Sequence, residues 1–268
     1  MSQQHKAGAP RLARPVEPRG PDDGVRVLAL TGLPELEAGD DLGALLAGAA
    51  ARIGGLREAD VVVVAQKAVS KVEGRVVALE DIEPSARAQE LAGDEIDARQ
   101  VEWILREARE VVRARGPLLI AETHHGFVCA SAGVDASNAK GAGTLVLLPL
   151  DPDASARALR ARLVDLTGVD VGVVVSDSFG RAWRQGTTDV ALGVAGIAPI
   201  RDLVGVVDPS GHELASTRIA VADELAGAAE LVMGKTRGVP AAIVRGVDLR
   251  GDGTGQELVM PRERNLFP

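Results

Sequence analysis

The sequence predicts an α+β fold with mixed or antiparallel sheets and packed helices. Two observations carry that reading. Strand-like and helix-like segments alternate only imperfectly along the chain, and several strands are separated by loops too short for a crossover helix, which a purely parallel sheet would need.

Val25–Leu30 reads as a short strand, ended by the turn Thr31-Gly32-Leu33-Pro34. Asp40 and Asp41 open a helix that runs to about Ile53, because a carboxylate at the first turn accepts from free amides and favours the helix dipole. Val61–Ala65 is a continuous apolar strand leading into Gln66-Lys67-Ala68-Val69-Ser70-Lys71. Val101, Ile104, Leu105, Ala108, Val111 and Val112 recur at three and four residues, the pattern of one amphipathic helix. Leu118–Glu122 reads as a buried strand. Asp151-Pro152 supplies a cap and a first-turn proline for a helix whose apolar stripe is Leu159, Leu163 and Leu166. Val169–Ser176, Asp189–Val194 and Val239–Gly246 read as strands, and Val221, Leu225, Ala228 and Val232 mark a further helix.

Residues 25–250 are therefore expected to form the folded domain. Residues 1–24, rich in proline, are expected to be a disordered tail, and residues 251–268 a polar, Gly/Pro-punctuated tail or linker. The chain has 268 residues, 46% of them hydrophobic, with three Phe, two Trp and no Tyr, so its core must rest on aliphatic interdigitation. A formal charge of −8 argues against a broad nucleic-acid face, and the scarcity of aromatics against a base-stacking surface. The single cysteine, Cys129, excludes an internal disulfide and any Cys-rich zinc site, which fits a reducing cytoplasm. No apolar run reaches the roughly 18 residues of a membrane span, and the N-terminus lacks the apolar core of a signal peptide.

The chemically densest stretch is 173–196, where an apolar run ends in Ser176-Asp177-Ser178 and then delivers Gly180, Arg181, Arg184 and Asp189. Asp177 and Ser178 offer hard oxygens suited to magnesium or manganese, whereas Arg181 and Arg184 offer planar forks for a phosphate or carboxylate. The arginines could equally form an interface salt bridge. Asp135 follows a small, apolar stretch much as Asp177 does. Two buried like charges are costly unless a cation neutralises them, so one shared metal would serve both; the alternative is a turn capped by Asp135. Lys71 could place a compact positive charge on a phosphate, or could be a solvated lysine. Met233-Gly234-Lys235-Thr236 imitates a P-loop, but position 229 is Ala and the segment follows a helix, so a helix end with Gly234 in the left-handed region is the simpler reading. His124, His125 and Cys129 lack the spaced ligand set of a metal site.

Six blocks in order resemble the coenzyme F-420:L-glutamate ligase family: GLPEL with GDDL at 32–42, KAVSKVEGR at 67–75, ETHHGFVCASAGVDASN at 122–138, LPLDPDASAR at 148–157, SDSFGRAWRQGTTDVALGVAG at 176–196 and ADELAGAAELVMGK at 222–235. The resemblance implies the gamma-glutamyl ligase fold in an intertwined homodimer. It also implies a GTP-dependent ligase that phosphorylates the terminal carboxylate of coenzyme F-420-0 and joins L-glutamate to it, γ-linked in the extended tail, with magnesium or manganese at two sites and potassium. By position, Leu33, Pro34, Glu35, Leu36, Gln66, Lys71 and Asn138 would hold the nucleotide, with Met233, Gly234 and Lys235 facing it. Asp135 and Asp177 would ligate one metal and Ser178 a second. Arg181 and Arg184, read from their chemistry, would act beside Asp177 by gripping the coenzyme or the γ-phosphate.

Where relatives usually read Thr-Ser-Lys, this chain reads Ala65-Gln66-Lys67, exchanging a small hydroxyl for a longer amide. Some relatives continue into a flavin-binding, nitroreductase-like domain; here a single ligase domain is expected. Competing readings are a metal-dependent ligase or phosphotransferase for another small acid, and a silent nucleotide-binding subunit.

Overall fold

The structure, a computed structural model, describes residues 11–12, 24–136 and 143–266. In chain order the first elements are β1 (Arg11–Leu12), β2 (Arg26–Leu30), α1 (Leu42–Ala51), β3 (Val61–Ala65), α2 (Gln66–Val72) and β4 (Val76–Ala78). There follow α3 (Ala86–Ala92), α4 (Ala98–Glu107), β5 (Ala108–Arg115), β6 (Leu118–Thr123), β7 (Val128–Ala130) and β8 (Thr144–Val146). The last are α5 (Pro152–Thr167), β9 (Gly172–Arg181), β10 (Arg184–Ala195), β11 (Arg201–Asp202), β12 (Val206–Val207), β13 (Arg218–Ile219), α6 (Val221–Met233) and β14 (Ala241–Arg245).

The central sheet has five strands in the order β10-β9-β3-β14-β2. Only β3 and β9 run parallel; the other neighbours are antiparallel, so the α+β class with mixed sheets is what forms. Alternation along β3 distributes its valines to two cores. Val62 and Val64 pack with Leu42 and Leu46 of α1 and Leu159 and Leu163 of α5. Val61 and Val63 pack on the other face with Leu225, Ala226 and Ala229 of α6. Burial on both faces is why β3 reads as an uninterrupted apolar run. Asp41 caps α1 by accepting from the Ala44 amide at 2.9 Å, and Asp151 caps α5 by accepting from Ala154 at 2.8 Å. Gly168, at φ +69°, ends α5. The inward stripe of α5 is Ala156, Leu159 and Leu163; Leu166 is exposed, against expectation.

A third core joins α3, α4 and β6 around Val101, Ile104, Leu119 and Ala121. Here the single helix expected through Val112 divides. Its first half is α4; Ala108, Val111 and Val112 belong to β5, which forms a hairpin with β6 through Gly116 at φ +53°. The β6 backbone satisfies the amides and carbonyls that further helix would have satisfied, and β-branched Val111 and Val112 suit a strand.

The chain between the central strands also departs from expectation. β9 does not stop at Ser176 but continues to Arg181, and β10 starts at Arg184 instead of Asp189, making a hairpin arm that extends beyond the sheet. At the termini, Arg11–Leu12 pairs in parallel with Val206–Val207. The folded body passes Arg250: Gly255 is buried and its amide donates to Asp153, Gln256 donates to the His125 carbonyl, and Arg262 bonds the buried Glu122.

Across the sheet, Asp60 is 1% exposed and accepts from Arg245 Nε at 2.8 Å, Arg245 at its terminal nitrogen at 2.7 Å and the Arg57 amide at 2.8 Å. Arg245→Met should cost about 3–5 kcal/mol in urea unfolding, since it strands a buried carboxylate. The double variant Asp60→Leu/Arg245→Met should recover most of that loss. A single-variant cost below about 1 kcal/mol would show that the pair is not a structural tie.

Candidate active site

Register alone brings four strand ends together. Ala65 ends β3 opposite Ser176 of the parallel strand β9, and Ala241 opens β14 opposite both Val64 and Leu30, the last residue of β2. A cleft of about 810 Å³ lies at this edge. Its walls come from Leu33 to Leu36 after β2, from Lys67 and Lys71 on α2, from Ser176, Asp177, Ser178 and Asp189 on the arm, and from Glu230 and Met233 to Thr236 at the end of α6. Ligands commonly bind beyond the carboxyl ends of parallel strands, and this volume is in the range of small-molecule sites.

Asp135, Asp177 and Ser178 on the acidic wall are half-buried. Burial pushes the Asp177 carboxyl up to about 7, the Ser178 amide opposes this, Asp135 and Asp189 add to the rise, and Lys67 counters it. The two aspartates singled out in the sequence therefore stand within electrostatic reach of each other. The Asp135 backbone exchanges hydrogen bonds with Val146, and its carboxylate pairs with Lys67 Nζ at 2.5 Å. Ser178 faces Asp189 across the hairpin and donates to it at 2.6 Å, while the fully buried Ser176 donates to the other oxygen at 3.2 Å. The donor set is thus hydroxyl and carboxylate oxygen, the kind a hard divalent cation takes. Among the described residues, no three His, Cys, Asp or Glu side chains group closely enough to enclose a metal ion by themselves.

On the opposite wall, Lys71 Nζ reaches Glu35 at 2.6 Å, tying the loop after β2 to α2. Gly234, at φ +56°, terminates α6 with its amide bonded to the Glu230 carbonyl, and it also lines the cleft. Gln66 is 1% exposed; its Oε1 accepts from Ser70 at 3.0 Å, its Nε2 has no hydrogen-bond partner, and it lies behind the cleft wall. Asn138 lies outside the described residues. Arg181 and Arg184 face each other at the tip of the arm, exposed and apart from the cleft wall.

Lys67, Asp189 and Glu230 are cleft residues that sequence reasoning did not assign. All three stand within quoted blocks, but no local spacing separates them from solvated charges. The trio His124, His125 and Cys129 does not form a site. Each imidazole Nε2 contacts a backbone carbonyl, of Arg106 and Leu150 respectively, and burial pushes the Cys129 thiol up to about 12, aided by the Asp177 charge, so it stays protonated. No helix among the described residues is long and apolar enough to cross a membrane.

Residues 32–246 match the family model described as F420-0:Gamma-glutamyl ligase. The chain is 44% identical over 250 residues to the coenzyme F420:L-glutamate ligase of Methanothermobacter thermautotrophicus, covering 91% of this chain and 99% of that protein. It is 46% identical over 240 residues to the protein of the same name from Methanopyrus kandleri, covering 87% and 93%. Against that of Methanocaldococcus jannaschii it is 43% identical over 216 residues, covering 79% and 86%. This chain belongs to the F420-0:gamma-glutamyl ligase family, a family of ligases.

Proposed function

We propose that the protein joins L-glutamate to coenzyme F420-0, using GTP to activate the coenzyme's terminal carboxylate as an acyl phosphate. The observation that carries this reading is one cleft, in a member of this ligase family, that holds an oxygen-rich acidic wall and three lysines, Lys67, Lys71 and Lys235. An acidic protein can bind a polyanionic nucleotide only by such local compensation.

The γ-phosphoryl group of GTP is transferred to a carboxylate oxygen of the coenzyme, and GDP leaves. The glutamate amine then attacks the acyl carbon, phosphate departs and the amine gives up a proton. Lys67 and Lys71 supply compact positive charge to phosphate oxygens, and Glu35 positions Lys71 for it. Asp135 and Asp177 would hold one divalent cation, magnesium or manganese, and Ser178 a second; such cations would neutralise charge developing on the transferred phosphate. The parts of the loop Leu33 to Leu36 that line the cleft would flank the nucleotide. Arg181 and Arg184, set on the arm beyond the cleft, suit the anionic coenzyme better than the nucleotide. Trp183 lies between them, 81% exposed.

Incubating the protein with GTP, manganese, L-glutamate and coenzyme F420-0 should yield GDP and a product heavier by one glutamyl residue. Equal turnover with ATP would refute the nucleotide assignment. Asp135→Asn and Asp177→Asn should each abolish turnover while leaving a folded protein, and the double variant should be no worse than either, as for residues acting through one ion. Near-native rates in both single variants, or equal manganese stabilisation of the double variant and the parent, would refute a shared metal.

The raised Asp177 carboxyl has a consequence for pH dependence. Its folded value, about 7, exceeds the ordinary 3.8, so the folded state holds the proton more tightly. The stability this contributes is full below about pH 4 and is lost as pH rises through about 7. Without metal, the parent's melting temperature should fall relative to that of Asp177→Asn across this window. With manganese the parent's deficit should shrink most above about pH 7, where binding no longer has to displace a proton. A parent-to-variant difference that stays flat with pH would contradict the assignment.

A further inference from the structure

We infer that Lys67 is an exchangeable counter-ion: its ammonium holds Asp135, yields that carboxylate to the divalent cation and passes to a phosphate of the nucleotide. This rests on the metal and nucleotide readings above and deepens them by linking the two binding events. Lys67 Nζ lies 2.5 Å from the Asp135 carboxylate, so the ammonium sits on a group assigned above to a metal. Lys67 also lines the cleft. Its charge is felt at Asp177 too, where it opposes the push of Asp135 and Asp189. One ammonium thus offsets charge on the same wall that would take the cation.

The two partners differ in their freedom to move. Asp135 is fixed through its backbone: its amide donates to the Val146 carbonyl at 2.9 Å, and its carbonyl accepts from the Val146 amide at 2.8 Å. Val146 ends β8, which pairs in turn with β4. Lys67 stands at the second position of α2, directly after β3, and carries its charge on a flexible four-carbon stem. Exchange at Asp135 therefore needs no backbone movement, because the carboxylate stays and the ammonium swings. Two cations on one carboxylate repel, most strongly where burial excludes water. Displaced without nucleotide, Lys67 gives up an anion; with a phosphate in the cleft, it trades one anion for another. Metal and nucleotide binding are thereby coupled through this side chain.

Manganese is titrated into the full chain with and without saturating GDP, and free manganese is read from its electron paramagnetic resonance signal. Without GDP, Lys67→Met should bind manganese roughly tenfold more tightly than the parent, because no ammonium has to leave Asp135. With GDP that advantage should vanish, since the parent's lysine then pairs with the phosphate. GDP should accordingly tighten manganese binding by a larger factor in the parent than in the variant. Lys67→Gln, which keeps a neutral hydrogen-bond donor near Asp135, should behave as Lys67→Met does and serves in its place if that variant does not fold. An equal gain with and without GDP would mean that Lys67 repels the metal from a fixed position, and would overturn the exchange while the metal reading stands. No gain in the GDP-free variants would overturn it as well. If neither the parent nor the variants bind manganese in either condition, the metal reading falls and the exchange with it.

Discussion

The parallel pairing of β3 with β9 is the constraint on which the rest of the molecule depends. Both strands are buried on both faces, so helices must cover the sheet from either side, and α1 and α5 on one face and α6 on the other do so. The register that sets Ala65 opposite Ser176 also decides where the chemistry goes. Lys67 follows one strand end directly and Asp177 continues the other, so the cationic and anionic walls of the cleft are neighbours by backbone hydrogen bonding alone. The antiparallel strands β14 and β2 then bring a helix end and a loop to the same edge.

Two kinds of buried carboxylate occur in this fold, and their partners distinguish them. Asp60 is saturated by Arg245 and a backbone amide, and Asp153 by the amides of Val194 and Gly255. These acids tie distant segments together and need nothing further. Asp177 is pushed toward the protonated form by burial and by two neighbouring carboxylates, with Lys67 compensating only in part. A fold gains nothing from such an arrangement by itself, and sites that sacrifice stability in this way are characteristic of ligand and catalytic chemistry.

The hairpin arm links this acidic wall to the rest of the molecule. Phe179 and Val190 on it pack around Phe127, Leu148 and Leu192, joined by Val259 from the C-terminal segment. That segment is also held by the bond from Gly255 to Asp153 and by Arg262 on Glu122. The arm that carries Asp177, Ser178 and Asp189 is thereby braced at its base, while its tip with Trp183 stays exposed. Precise placement of ligating oxygens needs that rigid support.

What the sequence by itself determined is local. The aspartate caps at Asp41 and Asp151, the apolar run of β3, the glycine ending α6 and the six family blocks were all legible, because capping, periodicity and left-handed turns act within a few residues. The single helix read through Val112 failed because pairing with β6, a partner far less visible than a 3.6-residue period, claimed its second half. Asp135 and Asp177 were legible as candidates because an isolated carboxylate after small apolar residues is conspicuous. That they stand within electrostatic reach of each other, that Lys67 and Asp189 join them, that Arg181 and Arg184 stand apart at the tip, and that Glu230 lines the same cleft were decided only by tertiary structure. Strand register is set by hydrogen bonds and packing between segments more than a hundred residues apart, and such pairings leave no periodic trace in either segment alone.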